Sequence, residues 1–143
     1  MTCLITTILT FLFIFSSPLF AANFNYGTEY AAKSELAHLS LINALEKVGG
    51  RIYGVGVHGI ILFSDDDGET WTQADSVPTQ NTLTDISCSS EQLCWATGHD
   101  ATILHSSDFG KTWEIQYFDI DFDAPLLSIH MYDDDNGVAI GAF

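Results

Sequence analysis

The chain has 143 residues, enough for one modest domain, and a content of 47% hydrophobic and 13% aromatic residues argues for a packed core rather than disorder. Its 19 acidic side chains stand against 4 basic ones, a formal net charge of -15 that repels phosphate backbones and anionic headgroups. Nucleic acid is therefore excluded as a partner.

Residues 4–15, LITTILTFLFIF, form an apolar run of the length of a secretory core region; Pro18 breaks it, and Leu19 and Ala21 then offer a cleavage site. A signal peptide over 1–21 is expected, with an exported chain that starts at Ala22, is periplasmic or extracellular, and keeps no membrane span after cleavage. No Lys or Arg precedes the apolar run, so an uncleaved anchor is the alternative, although the run is short for a full span. Residues 22–40 read as an N-terminal arm of mixed pattern, compatible with a short helical turn and carrying no assigned chemistry.

From Leu41 onward, short apolar runs are broken by Gly, Asp and Ser, the pattern of strands joined by tight turns. The stretch 51–71 lies without gaps on 93–113, matching Gly56 to Gly98, Leu62 to Leu104 and Trp71 to Trp113. The stretch 83–98 lies likewise on 126–141. The period is about 42 residues, with repeats at about 41–82, 83–125 and a truncated 126–143. Each full copy holds four strand-like pieces, in the second copy LTDISCS, LCWATGH, TILHSSD and TWEIQYF. An all-β fold follows, made of four-stranded antiparallel propeller blades and incomplete at about two and a half of them. A third copy of the octamer described next would fall at about residue 149, so the chain is expected to be a fragment of a longer product, or else to pair with other copies.

The octamer SDDDGETW (64–71) returns as SSDFGKTW (106–113). Placed between the third and fourth strands, Asp66 and Asp108 can accept turn N–H groups, while Gly68 and Gly110 can take positive φ. Ser64, Thr70, Ser106 and Thr112 can satisfy further turn groups, and Trp71 and Trp113 set a large ring on the sheet beside the turn. In ISCSSEQLCWATG a polar turn separates two strand-like runs, so a hairpin brings Cys88 and Cys94 opposite each other. Export makes a disulfide there the expectation, two unpaired small core residues being the alternative. Zinc lacks a second Cys/His pair.

The octamer resembles the Asp-box, or BNR repeat, of sialidases and many non-enzymatic propellers. The longer runs LTDISCSSEQLCWATGHDATILHSSDFGKTWEIQ and PLLSIHMYDDDNGVAIG resemble BNR-repeat proteins related to the photosystem II stability and assembly factor, exported bacterial relatives included. This resemblance spans roughly residues 36–143. It implies a propeller commonly of seven blades that serves as a scaffold, with a protein partner and a role in assembling a membrane complex. The alternative is a fragment of a sialidase-like or other carbohydrate-active propeller whose catalytic residues lie on other blades.

A sialidase needs an arginine cluster, and Arg51 is the only arginine in the sequence. The acidic runs at 65–68, 119–123 and 133–137 suggest calcium, but none has the spacing of a calcium loop. His58, His99 and His105 do not occupy matching repeat positions, and no nucleophile elbow, Walker loop or HExxH motif occurs. No catalytic, cofactor-binding or metal-ligating residue is nominated, and the sequence reads as a non-enzyme without a cofactor.

Overall fold

A computed structural model of the chain describes residues 29–119, 121–122 and 124–142. The expected signal peptide over 1–21, and the start of the arm at 22–28, lie outside the described residues.

Alternating side chains in INALEKV give β1 (Ile42–Val48) a half-buried and an exposed face. It opens an antiparallel sheet with β2 (Arg51–Gly56), β3 (Ile61–Ser64) and β4 (Thr72–Gln73), in that spatial order. The same order recurs in β5 (Leu83–Cys88), β6 (Cys94–Gly98), β7 (Ile103–Ser106) and β8 (Glu114–Tyr117). Finally β9 (Leu126–Met131) pairs with β10 (Gly137–Gly141). The described residues thus form two blades and the inner hairpin of a third, a partial β-propeller.

Register shows how closely the units repeat. Ile42 pairs with Gly56, Leu83 with Gly98 and Leu126 with Gly141, and a bulge follows each time at Asn43, Thr84 or Leu127. Inner strands β1 and β5 are therefore 41 residues apart whereas β2 and β6 are 42 apart, because the β5–β6 turn is one residue longer.

The β2–β3 and β6–β7 turns are of type I′, with positive φ at His58 and Gly59 and at Asp100 and Ala101. This turn matches the right-handed twist of the strands it joins. Gly59, at φ +68, lies so close to Thr79 that a Cβ would strike the Thr79 carbonyl oxygen.

The larger core cluster belongs to neither blade alone. Tyr53, Val55 and Ile61 of the first share one buried cluster with Ile86, Leu104 and Trp113 of the second. The link between them closes the outer edge, where the Asp75 N–H donates to Lys111 O (2.6 Å) and the Trp113 N–H to Ser76 O (2.9 Å). The arm crosses the opposite face of the first blade. Its Ala37 packs with Ile60 and Leu62, and Lys33 donates to the carbonyls of Gln73 (3.1 Å) and Ala74 (2.8 Å).

Gly59→Ala places a side chain where both φ and space forbid it, and a loss of roughly 1–3 kcal/mol is expected, read as a lower midpoint in urea unfolding.

Candidate functional site

The two octamers fold alike. Ser64 Oγ donates to Asp66 Oδ1 (2.7 Å) and accepts the Gly68 N–H (2.9 Å). Asp66 then accepts the Thr70 N–H on Oδ1 (2.8 Å) and the Thr70 hydroxyl on Oδ2 (2.6 Å), while Trp71 Nε1 donates to Gly68 O (3.1 Å). In the second copy the corresponding distances are 2.9, 3.0, 2.9, 2.6 and 3.0 Å. Both carboxylates are acceptors in a closed turn. Hydrogen bonds led by the Thr70 hydroxyl hold Asp66 down at about 2. Burial raises Asp108, but the bonds from Thr112 and Ser106 outweigh it and leave the carboxyl below its ordinary value.

The second turn also presents a surface to the preceding blade. Gly110 (φ +70) lies directly against the Tyr53 ring, where a Cβ would be 2.5 Å from a ring carbon. The Tyr53 hydroxyl donates to Glu91 O at 2.6 Å, and the Gly50 N–H donates to the Glu91 carboxylate at 2.5 Å. Arg51 grips Asp65 through two 2.6 Å bonds and extends Nη1 to Phe109 O, also at 2.6 Å. Its guanidinium lies over the Phe63 ring, 4.4 Å from the centroid. The sole arginine of the chain is thus held by Asp65 of its own blade and joins the second blade through Phe109 O.

A disulfide joins Cys88 to Cys94, which face each other in the β5–β6 register with Cα atoms 4.0 Å apart. It closes the hairpin that carries Glu91 to the first blade. Of the five histidines, the three singled out in the sequence occupy different settings. His58 and His99 are exposed in separate turns, whereas His105 stacks at 4.7 Å on Trp95 and lies 3.4 Å from Glu114. Asp133 caps its own turn, and the N–H groups of Asp135 and Asn136, with the Asn136 amide, depress its carboxyl. Among the described residues no three His, Cys, Asp or Glu side chains gather into a metal site.

Sequence reasoning missed a second set of junctions, along the inner strands. Asn43 Nδ2 donates to Leu83 O (2.7 Å), and its repeat equivalent Thr84 donates to Leu126 O (2.5 Å). Glu46 accepts the Cys88 N–H, and the equivalent Ser87 accepts the Met131 N–H at 3.0 Å. Burial pushes the Glu46 carboxyl up despite that bond. A polar residue directly after the first apolar residue of the strand was the available signal. It is invisible until the 41-residue offset of the inner strand is known.

These features define a partial propeller whose blades are tied together by side-chain hydrogen bonds, and no family model matches the chain. A curated relative, the uncharacterized protein YkuO of Bacillus subtilis (strain 168), is 32% identical over 92 residues, covering 64% of this chain and 30% of that protein. Among solved structures, YCF48 bound to D1 peptide superposes with a TM-score of 0.60 at 20% identity, over 69% of this chain and 34% of that one. YCF48 from Cyanidioschyzon merolae gives 0.59 at 19%, over 70% and 34%. The chain spans about a third of the length of each of these proteins. The fold of the described residues is thus a partial β-propeller like that of YCF48.

Asp108→Ala removes the acceptor for the exposed Thr112 N–H and hydroxyl, and a loss of roughly 0.5–1.5 kcal/mol for each of these hydrogen bonds is expected in the same unfolding assay. Acid acts on the first octamer. Because the folded Asp66 value lies below its ordinary 3.8, its stabilisation is complete above that pH and drains as the pH falls towards about 2. Asp66→Asn should flatten the acid limb of a stability–pH curve in that window.

Proposed function

We propose that this chain is an exported, non-enzymatic propeller scaffold that holds a segment of a protein partner during assembly of a membrane complex. The observation that carries the reading is the fold shared with YCF48, one structure of which has a D1 peptide bound. The apolar run at 4–15 supports export. Two further features favour a scaffold over a catalyst. The octamer carboxylates are saturated with turn donors, and Arg51 is committed to Asp65 and Phe109 rather than open to a substrate carboxylate.

Charge narrows the partner. A net charge of -15 steers towards a neutral or basic segment and away from an acidic one. The test is to probe overlapping peptides from the loops of the host's membrane-complex subunits with the full chain. Binding to a small set of neutral or basic peptides, weakening as salt rises, is the expected result. Turnover of a glycoside by the chain, with no peptide retained, would overturn the reading. Mass spectrometry of the exported chain should find an amino terminus at Ala22.

A further inference from the structure

Each of the three inner hairpins closes its turn by a different device. The β1–β2 turn uses Gly49, whose φ of +56 a glycine adopts freely. The β9–β10 turn is capped from within by Asp133, which accepts the N–H groups of Asp135 (2.9 Å) and Asn136 (2.7 Å) and the Asn136 amide. In β5–β6 the last strand pair before the turn is Cys88 and Cys94, joined by the disulfide. Lys47 and Ile52 hold that register position in the first hairpin, and Met131 and Gly137 hold it in the third. Covalent closure therefore belongs to the second hairpin alone.

The turn closed in this way, residues 89–93, reaches both the first blade and the second octamer. Glu91 O accepts the Tyr53 hydroxyl (2.6 Å), and the Glu91 carboxylate accepts the Gly50 N–H (2.5 Å). Gln92 O accepts the Phe109 N–H (3.3 Å), while the Gln92 amide donates to Ser107 O (3.1 Å). Inside the turn, the Ser89 N–H donates to Leu93 O (3.1 Å) and the Leu93 N–H to Ser90 Oγ (3.2 Å). Elsewhere the same junction depends on other residues. At the opposite ends of the strands the Gly59 N–H donates to Asn81 O (2.9 Å), and along the outer edge the Trp113 N–H donates to Ser76 O (2.9 Å). A bridge between cysteines only six residues apart removes little entropy from the unfolded chain, so its weight falls on this turn more than on global stability.

We infer that the Cys88–Cys94 disulfide is a redox latch on the blade junction, which a dithiol reductant opens to free turn 89–93 while the outer edge and the opposite rim stay closed. Cys94 is 0% exposed and Cys88 is half-buried, so attack falls on the Cys88 sulfur. A thiolate of the dithiol bonds to Cys88 Sγ, the S–S bond breaks, and Cys94 departs as a thiolate that takes up a proton. The second thiol of the reductant then displaces Cys88 from the mixed disulfide. The cysteine pair gains two electrons and two protons, and the dithiol becomes a disulfide. Strands β5 and β6 are then no longer clamped at their last pair, and Glu91 and Gln92 lose the fixed position from which they accept Tyr53, Gly50 and Phe109. Oxidised, the two blades are fastened at both rims; reduced, at one.

Amide hydrogen exchange, followed residue by residue by nuclear magnetic resonance on the full chain with and without dithiothreitol, tests this. On reduction the Gly50 and Phe109 amides should exchange faster, by on the order of tenfold, while the Gly59 and Trp113 amides keep their rates. The change should track the thiols released from Cys88 and Cys94 in a redox titration and reverse on reoxidation. Unchanged exchange at Gly50 and Phe109 in the reduced chain overturns the inference. So does a common acceleration at all four amides, the mark of a staple whose loss loosens the whole fold. A chain carrying both Cys88→Ala and Cys94→Ala should exchange rapidly at Gly50 and Phe109 without any reductant. A response of that variant to dithiothreitol counts against the latch. The wild-type comparison involves no substitution, so it decides the matter even where the double variant fails to fold.

Discussion

The Tyr53 side chain, buried between two sheets and hydrogen-bonded to Glu91 O, represents the constraint on which the rest of the structure depends. A four-stranded twisted sheet has two faces and no interior, so it becomes stable only when a neighbour removes one of those faces from water. Here the cluster that supplies the core draws its members from both blades, and no blade holds a closed set. At about 25 cal/mol for each Å² of apolar surface, burying residues the size of Tyr53, Ile61, Leu83 and Leu104 across one junction outweighs any single polar contact in it.

Polar contacts have a different task. Apolar packing between two flat faces tolerates sliding, whereas Arg51 to Phe109, Gly50 to Glu91, Asn43 to Leu83 and Glu46 to Cys88 each require one register. The disulfide and the octamers act one level lower, shaping the turns that present these groups. Asp108 closes the loop that places Phe109 O and Gly110 beside Arg51 and Tyr53. The repeated motif therefore serves the junction through the turn. It is a structural element whose carboxylates are fully occupied, which is why two copies at a fixed period say more about architecture than about chemistry.

The proposed scaffold role draws on these junctions. Blades tied to one another hold loop surfaces in place, which lowers the entropy cost of ordering a receptor on binding. The surplus of acidic groups sets the sign of the field around those loops, and three of the four basic residues are engaged in ion pairs, Lys33 with Asp75, Lys47 with Asp67 and Arg51 with Asp65. The field that a partner meets is consequently negative.

The all-β class, the blade period and the strand content of each blade were legible in the sequence, because tight turns and strand alternation are local signals and the repeat prints them twice. The octamers were legible for the same reason: Ser64, Asp66, Gly68 and Thr70 interact within one turn, and nothing distant is needed to foresee it. What tertiary structure alone decided is which groups meet between blades. Arg51 reaches Phe109 across 58 residues of chain, Tyr53 reaches Glu91 across 38, and the arm folds back over Leu62. Composition identifies Arg51 as the sole arginine, but only the stacked blades show it bound to Asp65 and Phe109. Such contacts depend on the angle at which one twisted sheet lies on the next, and that angle is set by the collective packing of Tyr53, Leu104, Trp113 and their neighbours rather than by any stretch short enough to read.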